Sequence, residues 1–310
     1  MREELLAKTV QLLHSLGFTV SSFLEFNSCI DIAAKKNDSA FIIKVLSNID
    51  SLRPETAMEL HKAAAIFHAT PIILGEKTKT VTLETNTRYE RFGIPVFSKE
   101  TFTDFLYGKN PMFRSFKGKQ TVQLDAQQLV LERQKKQLSQ QELGEKIGVT
   151  TQTIHRYENG HPADAQDAQK IESLLSCRII SPQTIQSESN VEKIFETHFS
   201  EPALEKLFEL GVPLAQFEHA PFKAVSTPTE SLLINLGKDH RDIHRKALIL
   251  EKTKTVFKAH SIVISKEYKL HNIGQTTIIA EEELESYSKI QELLKEIQKQ
   301  EQKNEKKTTF

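Results

Sequence analysis

Gln152 and Arg156 are the residues best suited to reading a base edge, since an amide can pair bidentately with adenine and a guanidinium with guanine. Each such pair contributes about 1–3 kcal/mol of discrimination against the wrong base. Thr151 can offer its methyl group to thymine or its hydroxyl to a phosphate, and His155 stands between these positions. To act together they must share the outer surface of one helix, and the flanking residues build it. Thr150 can cap a helix whose Ile154 and Tyr157 turn inward, which leaves Thr151, Gln152, His155 and Arg156 outside; Gly160 closes it. The preceding helix starts at Ser139 with Glu142, a capping box, and its Leu143 and Ile147 give it one apolar face. Gly148 ends it, because glycine alone enters the left-handed conformation cheaply. Gln140, at the start of that helix, is placed to contact a phosphate, where a helix N-terminus favours an anion. Two short helices joined by a glycine turn have helix-turn-helix geometry. The expected reading helix is 150–159, with Gln140, Thr150, Thr151, Gln152, His155 and Arg156 facing double-stranded DNA.

The 310-residue chain is long enough for two or three domains, and its 38% hydrophobic and 26% charged residues are ordinary for a globular protein. No apolar run approaches the roughly 18–20 residues that span a bilayer, and the N-terminus lacks an apolar signal core. No membrane association is expected. Cys29 and Cys177 have neither metal-ligand spacing nor the density of a disulfide scaffold, so a reducing, cytoplasmic setting is expected. Forty-one basic residues balance forty-one acidic ones, so any nucleic-acid-binding face must be local.

The pattern divides into an α/β domain over 1–108, a basic linker over 109–122, a helical domain over 123–177, a linker over 178–190, a second α/β domain over 191–287 and a helical then disordered charged tail over 288–310. In the first domain an amphipathic helix carrying Leu5, Leu6, Val10, Leu12, Leu13 and Leu16 ends at Gly17. Strand-like runs follow at 18–25, 30–35 and 41–46, then a helix near 54–67, strands at 71–74 and 93–97, and a helix over 99–106 that Ser98 can cap. The loop-like linker carries Lys109, Arg114, Lys117 and Lys119; Lys117 and Lys119 are candidate phosphate contacts. The last domain echoes the first: a helix over 192–210 ending at Gly211, strands at 214–217, 222–226 and 232–236, a helix near 239–252, and strands at 261–265 and 273–279. Residues 41–46 correspond to 232–237, and 70–74 to 261–264. We infer a diverged internal duplication, the alternative being two unrelated domains with the same element order.

The stretch from Leu138 to Gly160 resembles the helix-turn-helix of lambda-repressor/Cro-type (Xre-like) regulators, whose pattern runs Leu-Ser-Gln-x-Glu-Leu-Ala, Gly-Val-Ser, Ile and Glu-Asn-Gly. The resemblance implies that Arg133 salt-bridges Glu158 as scaffold and contacts no DNA. Gly144 departs from the usual alanine, at a cost of about 1 kcal/mol in helix propensity unless packing requires it. The loop after Gly160, with Asp164, lacks the cations that relatives often carry. The first domain resembles the restriction-endonuclease-like fold, whose active members place an Asp on one strand and a Glu/Asp-x-Lys on the next to hold Mg²⁺ and activate water. Here Asp31 and Lys44 match, but Ile42 replaces the second acid, and Ile234-Asn235 falls where Ile43-Lys44 would be in the second copy. One carboxylate does not readily neutralise a metal cluster. Glu25 is the candidate substitute. Otherwise Asp31 is a strand-edge acid and Lys44 a solvated strand end. We read both copies as non-catalytic, with no cofactor and no metal. His61, His68, His240, His244, His260 and His271 are expected to be ordinary helix or strand histidines, since His240 and His244 have no third ligand in view.

The whole arrangement resembles archaeal proteins of this length described as helix-turn-helix transcriptional regulators. That implies a transcription factor; the expected fold is α/β flanking domains, the first restriction-endonuclease-like and the second read as its diverged copy, around a small all-α helix-turn-helix domain. The expected function is sequence-specific regulation of transcription, with no enzymatic activity and with a homodimer bound to two half-sites about one helical turn apart. Its interface would come from the flanking domains or from the stripe Ile290, Leu293, Leu294 and Ile297. The alternatives are a nuclease targeted by its central domain and an antitoxin-like protein-interaction partner.

Overall fold

The computed structural model describes residues 2–24, 28–116, 118–185, 194–226, 231–266 and 271–308. Helix α1 (Arg2–Ser15) buries Leu5, Leu6, Thr9 and Leu13, one face of a 3.6-residue period. Strands β1 (Thr19–Ser22), β2 (Ile32–Lys36) and β3 (Ser39–Asn48) form an antiparallel meander. Strands β2 and β3 form a hairpin, with Lys36 opposite Ser39. Helix α2 (Pro54–Ile66) starts on a proline, whose missing N–H costs nothing in the first turn. Strands β4 (Thr70–Lys77), β5 (Thr87–Arg91) and β6 (Ile94–Phe97) follow, β6 parallel to β4 and antiparallel to β5. Helix α3 (Lys99–Leu106) is capped as expected: Ser98 Oγ accepts the N–H of Thr101 at 3.2 Å.

Residues 113–124 differ from the expected basic linker. They form a hairpin of β7 (Phe113–Phe116) and β8 (Lys119–Leu124). Its apolar residues Phe113, Val122 and Leu124 pack into the core of the helical domain, a role that the surrounding glycines and cations conceal in the sequence. That domain comprises α4 (Ala126–Lys135), α5 (Gln140–Ile147), α6 (Thr151–Glu158), β9 (Ala163–Asp164), α7 (Ala165–Leu175) and β10 (Ile180–Ser181). Both β9 and β10 pair with β8, so the helices carry a small sheet and the domain is not purely helical.

The C-terminal region contains α8 (Pro202–Glu209), β11 (Leu214–Gln216), β12 (Ala224–Ser226), β13 (Leu232–Gly237), α9 (His240–Phe257), β14 (His260–Ser265), β15 (His271–Ile273), β16 (Thr276–Ala280) and α10 (Ile290–Thr308). Helix α8 is shorter than expected, beginning at Pro202; residues 194–201 are non-helical and 186–193 lie outside the described residues. Glu282–Ser286 forms a 3₁₀ turn. The stripe proposed as a dimer seam is not free for that role. Ile290, Leu293, Leu294 and Ile297 are buried in the core with Leu204, Leu207 and Ile279. The charged tail expected to be disordered continues α10 to Thr308. No helix among the described residues is long and apolar enough to cross a membrane.

The chain folds as two compact units: one comprises Met1–Val45, Arg53–Pro71 and Ser189–Phe310, the other Leu46–Leu52 and Ile72–Glu188. The second unit holds the helix-turn-helix. The first holds the opening elements of the N-terminal repeat and the whole C-terminal repeat.

The N-terminal and C-terminal α/β repeats share one strand order and register. The order β11-β12-β13-β14-β16-β15, with β13, β14 and β16 parallel, repeats the meander β1-β2-β3 and the group β4-β6-β5. Ile73 faces Val96 and Leu74 faces Phe97; in the second repeat Val263 faces Ile278 and Ile264 faces Ile279. Phe23 N donates to Asp31 O and Asp31 N to Ile43 O, both at 2.9 Å; Phe217 N donates to Lys223 O at 2.8 Å and Lys223 N to Ile234 O at 2.9 Å. Lys223 therefore stands where Asp31 stands, and Asn235 where Lys44 stands. Within the first unit the repeats meet about a local twofold. Phe67, after α2, stacks on its own counterpart Phe257 at 4.1 Å between centroids. Ser21 Oγ in β1 donates to Lys252 O in α9 at 2.6 Å, while Lys62 Nζ in α2 donates to Gln216 O in β11 at 2.9 Å. The two contacts join corresponding elements, β1 with α9 and β11 with α2, through different atoms, so the seam is approximately isologous, as in a symmetric dimer, but inside one chain.

Candidate nucleic-acid interface

Helix α5 begins where the capping box requires. Ser139 Oγ accepts the N–H of Glu142 at 3.1 Å, and Glu142 Oε2 accepts that of Ser139 at 2.7 Å. It ends at Gly148, whose φ of 84° lies in the left-handed region. Thr150 then caps α6, accepting the N–H of Thr153 at 3.1 Å. Ile154 and Tyr157 point inward with Leu129, Leu143, Ile147 and Ile171. The Tyr157 hydroxyl donates to Asp167 at 2.9 Å, and burial together with that carboxylate keeps the phenol neutral, its pKa pushed up to about 12.

Thr151, Gln152, His155 and Arg156 are all exposed on the outer surface of α6. Asn159 lies against His155, its amide 3.2 Å from Nδ1 and donating to the His155 carbonyl at 2.7 Å. Two expected DNA-facing residues have other duties. The Thr150 hydroxyl is engaged in the cap and lies 2.9 Å from the Thr153 hydroxyl. Gln140 Nε2 donates to Glu158 Oε2 at 2.6 Å, so its side-chain donor is committed and the residue joins the scaffold. Its charge-free amide would have to leave a carboxylate to reach a phosphate. Lys119 is exposed at the start of β8, and Lys117 lies outside the described residues.

The scaffold beneath the reading surface is a forked ion pair. Arg133 Nε and Nη2 reach Glu158 Oε1 and Oε2 at 2.5 and 3.0 Å, and Nη1 donates to Leu138 O at 2.8 Å. Sequence reasoning misses the third member, Gln140. The loop after Gly160 is also less hostile to DNA than its acid implies. Ala163 pairs with β8, and Asp164 caps α7 by accepting the N–H of Gln166 at 2.9 Å.

Gly144 is required by packing. A Cβ placed there would lie 2.8 Å from the Val149 carbonyl oxygen, at the turn that sets the angle between α5 and α6. Gly144→Ala is expected to destabilise the domain by about 1–3 kcal/mol through that overlap, despite alanine's better helix propensity. Thermal unfolding of the variant measures this, and an unchanged or raised midpoint would contradict it.

The N-terminal repeat keeps the positions of a hydrolytic metal site but not its charge pattern. Asp31 and Lys44 are neither a strand-edge acid nor a solvated strand end, as expected above; both are buried. The Asp31 carboxylate is held by Arg2 at 2.6 Å, by the N–H of Val45 at 2.7 Å and by Lys44 at 3.3 Å. Arg2 also donates to Val45 O at 3.0 Å. Ile42, in the place of the second acid, is fully buried, and Glu25 lies outside the described residues. One carboxylate already neutralised by two cations does not fit a divalent ion, which needs several free oxygen ligands. Arg2 escapes sequence reasoning, although one signal exists: a cation in the first turn of a helix opposes the helix dipole unless an anion receives it. Among the described residues no cluster of three or more His, Cys, Asp or Glu could hold a metal. His240 and His244 lie 6.5 Å apart by ring centroid, and His260 Nδ1 is 2.9 Å from Glu301.

Comparison with known proteins agrees with both constellations. Residues 2–112 match the PD-(D/E)XK superfamily domain and residues 130–186 match the helix-turn-helix family. Three relatives, each named "Putative HTH-type transcriptional regulatory protein", align over nearly the whole chain. The Methanocaldococcus jannaschii protein is 33% identical, covering 96% of each chain. The Archaeoglobus fulgidus protein is 31% identical, covering 95% of this chain and 97% of its own. The Thermoplasma acidophilum protein is 29% identical, covering 96% and 98%. The chain belongs to this HTH-type family. No solved structure matches it significantly. In this HTH-type protein the nuclease-fold match covers the repeat that keeps Asp31 and Lys44, whereas the C-terminal repeat carries Lys223 and Asn235 at those places. Asn235 keeps one duty of Lys44, donating to Pro221 O at 3.2 Å as Lys44 donates to Ser28 O at 2.5 Å.

Proposed function

We propose that the protein is a sequence-specific DNA-binding transcriptional regulator that places α6 in the major groove. The observation that carries this reading is the outward set Thr151, Gln152, His155 and Arg156, standing on a helix fixed from below by Arg133, Glu158 and Gln140. Gln152 and Arg156 read bases, Thr151 contacts a base methyl or a phosphate, and Lys119 with the α5 N-terminus contributes backbone contacts. A single domain of this size binds DNA weakly, so two chains on two half-sites are the expected bound form. The sequestered Asp31 and the apolar Ile42 support a nuclease fold kept as a scaffold without cleavage.

Selection of bound fragments from genomic DNA followed by titration tests the assignment. Gln152→Ala and Arg156→Ala should each weaken binding to the selected site by about 1–3 kcal/mol and relax preference at one base pair, without changing unfolding. Sedimentation of the complex should give two chains per site. Undiminished binding and preference in both variants would overturn the reading-helix assignment.

A further inference from the structure

The clefts of the two repeats have diverged in opposite directions. In the N-terminal repeat, Arg2 from α1 enters and binds Asp31. In the C-terminal repeat, α8 starts at Pro202, and the equivalent place is a cavity of about 630 Å³. Its size is that of a small-molecule site, typically about 300–1,000 Å³. Lys223, the counterpart of Asp31, lines it, as do the exposed Lys238 and Lys266. A fixed ammonium thus stands where a nuclease of this fold gathers its metal, and an ammonium can receive an anion directly. The first turn of α8 also lines the cavity, and no side chain caps that helix, so its partial positive end faces the same space. Phe217 and Phe222 form an apolar wall, and buried Asn235 adds a polar group. Lys246 is committed, held by Asp242 and the Leu236 carbonyl, whereas Lys223 gives one of its three N–H donors to the exposed Glu218 at 2.9 Å and has the others for a ligand.

We propose that this cleft binds a small organic anion, its phosphate or carboxylate head on Lys223 and the α8 N-terminus, its apolar body against Phe217 and Phe222. Glu201, Glu218 and Glu281 also line the cavity. Carboxylates there suit a compact ligand and oppose the backbone of duplex DNA, a continuous polyanion. None of these residues belongs to the helix-turn-helix, so the proposal stands or falls apart from the DNA-reading assignment.

The test uses the full chain and calorimetric titration with phenyl phosphate, benzoate and benzyl alcohol. Saturable binding of either anion is expected, with phenyl phosphate against benzoate separating a phosphate-selective from a carboxylate-selective cleft. The neutral alcohol should bind at least tenfold more weakly, the cost of losing one charge-assisted contact being about that factor. Lys223→Gln should lower anion affinity by about tenfold or more. Lys238→Gln, on an exposed rim residue whose loss leaves the fold intact, should lower it severalfold. Absence of binding by both anions would overturn the proposal, as would equal affinity for the alcohol or affinities unmoved by both substitutions. Displacement of the bound anion by a duplex lacking the selected site would also overturn it, by assigning the cleft to DNA phosphates.

Discussion

Glu158→Ala is expected to unfold the DNA-reading domain without touching any base-reading side chain. The Glu158 side chain is only 6% exposed, and its carboxylate receives both arms of the Arg133 fork and the Gln140 amide. Removing it strands a guanidinium that is 11% exposed. Breaking one partner of a buried ion pair costs about 3–5 kcal/mol. A domain of some 55 residues holds about 3–8 kcal/mol in all. Denaturation of the full chain should therefore show an early transition for this domain, and binding to the selected site should be lost with it. An unchanged first transition would refute the assignment. The double substitution Arg133→Met with Glu158→Leu should recover most of the stability, because no buried charge is left alone. Partial return of DNA binding in that variant would distinguish loss of scaffold from loss of a contact.

The second large effect lies at Asp31. Asp31→Ala should destabilise the first unit by about 3–5 kcal/mol, since it leaves Lys44 buried without its carboxylate and removes the acceptor of the Val45 N–H. Asp31→Asn, which keeps an acceptor for that N–H, should fall between. A metal-binding role predicts the reverse in metal-free buffer, where deleting a ligand carboxylate relieves charge crowding and leaves stability equal or higher. Thermal unfolding with and without Mg²⁺ separates the two. On the structural reading Mg²⁺ shifts neither protein, and supercoiled DNA stays intact with both. A midpoint raised by Mg²⁺ in the parent chain and not in the variant would restore the nuclease.

Local signals carried most of the reading domain. The capping box at Ser139 and Glu142, the stop at Gly148 and the cap at Thr150 are each set within a few residues, so sequence spacing alone locates α5 and α6. The Arg133–Glu158 pair came from resemblance, and the structure adds Gln140, whose partner lies 18 residues away. The hairpin of β7 and β8 was hidden because its apolar residues face helices that come later in the chain. The same limit applies to the clefts. The correspondence of 41–46 with 232–237 is visible in the sequence, but the register that puts Lys223 on Asp31 depends on backbone hydrogen bonds across strands. Arg2 and Asp31 are 29 residues apart, and only the packing of α1 brings them together. The interface imagined for the Ile290–Ile297 stripe dissolved for a related reason, since apolar residues at helical spacing say that a face is covered but not by what.

The stacking of Phe67 on Phe257 bears on how such a protein can change over generations. In a dimer of identical subunits every substitution appears twice, so a residue that suits one half burdens the other equally. Joining the halves in one polypeptide removes that constraint. Each half can then drift by itself while the shared seam keeps both folded. One half carries an acid closed over by an arginine, and the other carries a lysine beside an open cleft. Divergence of that kind is available to a fused pair and denied to a symmetric one.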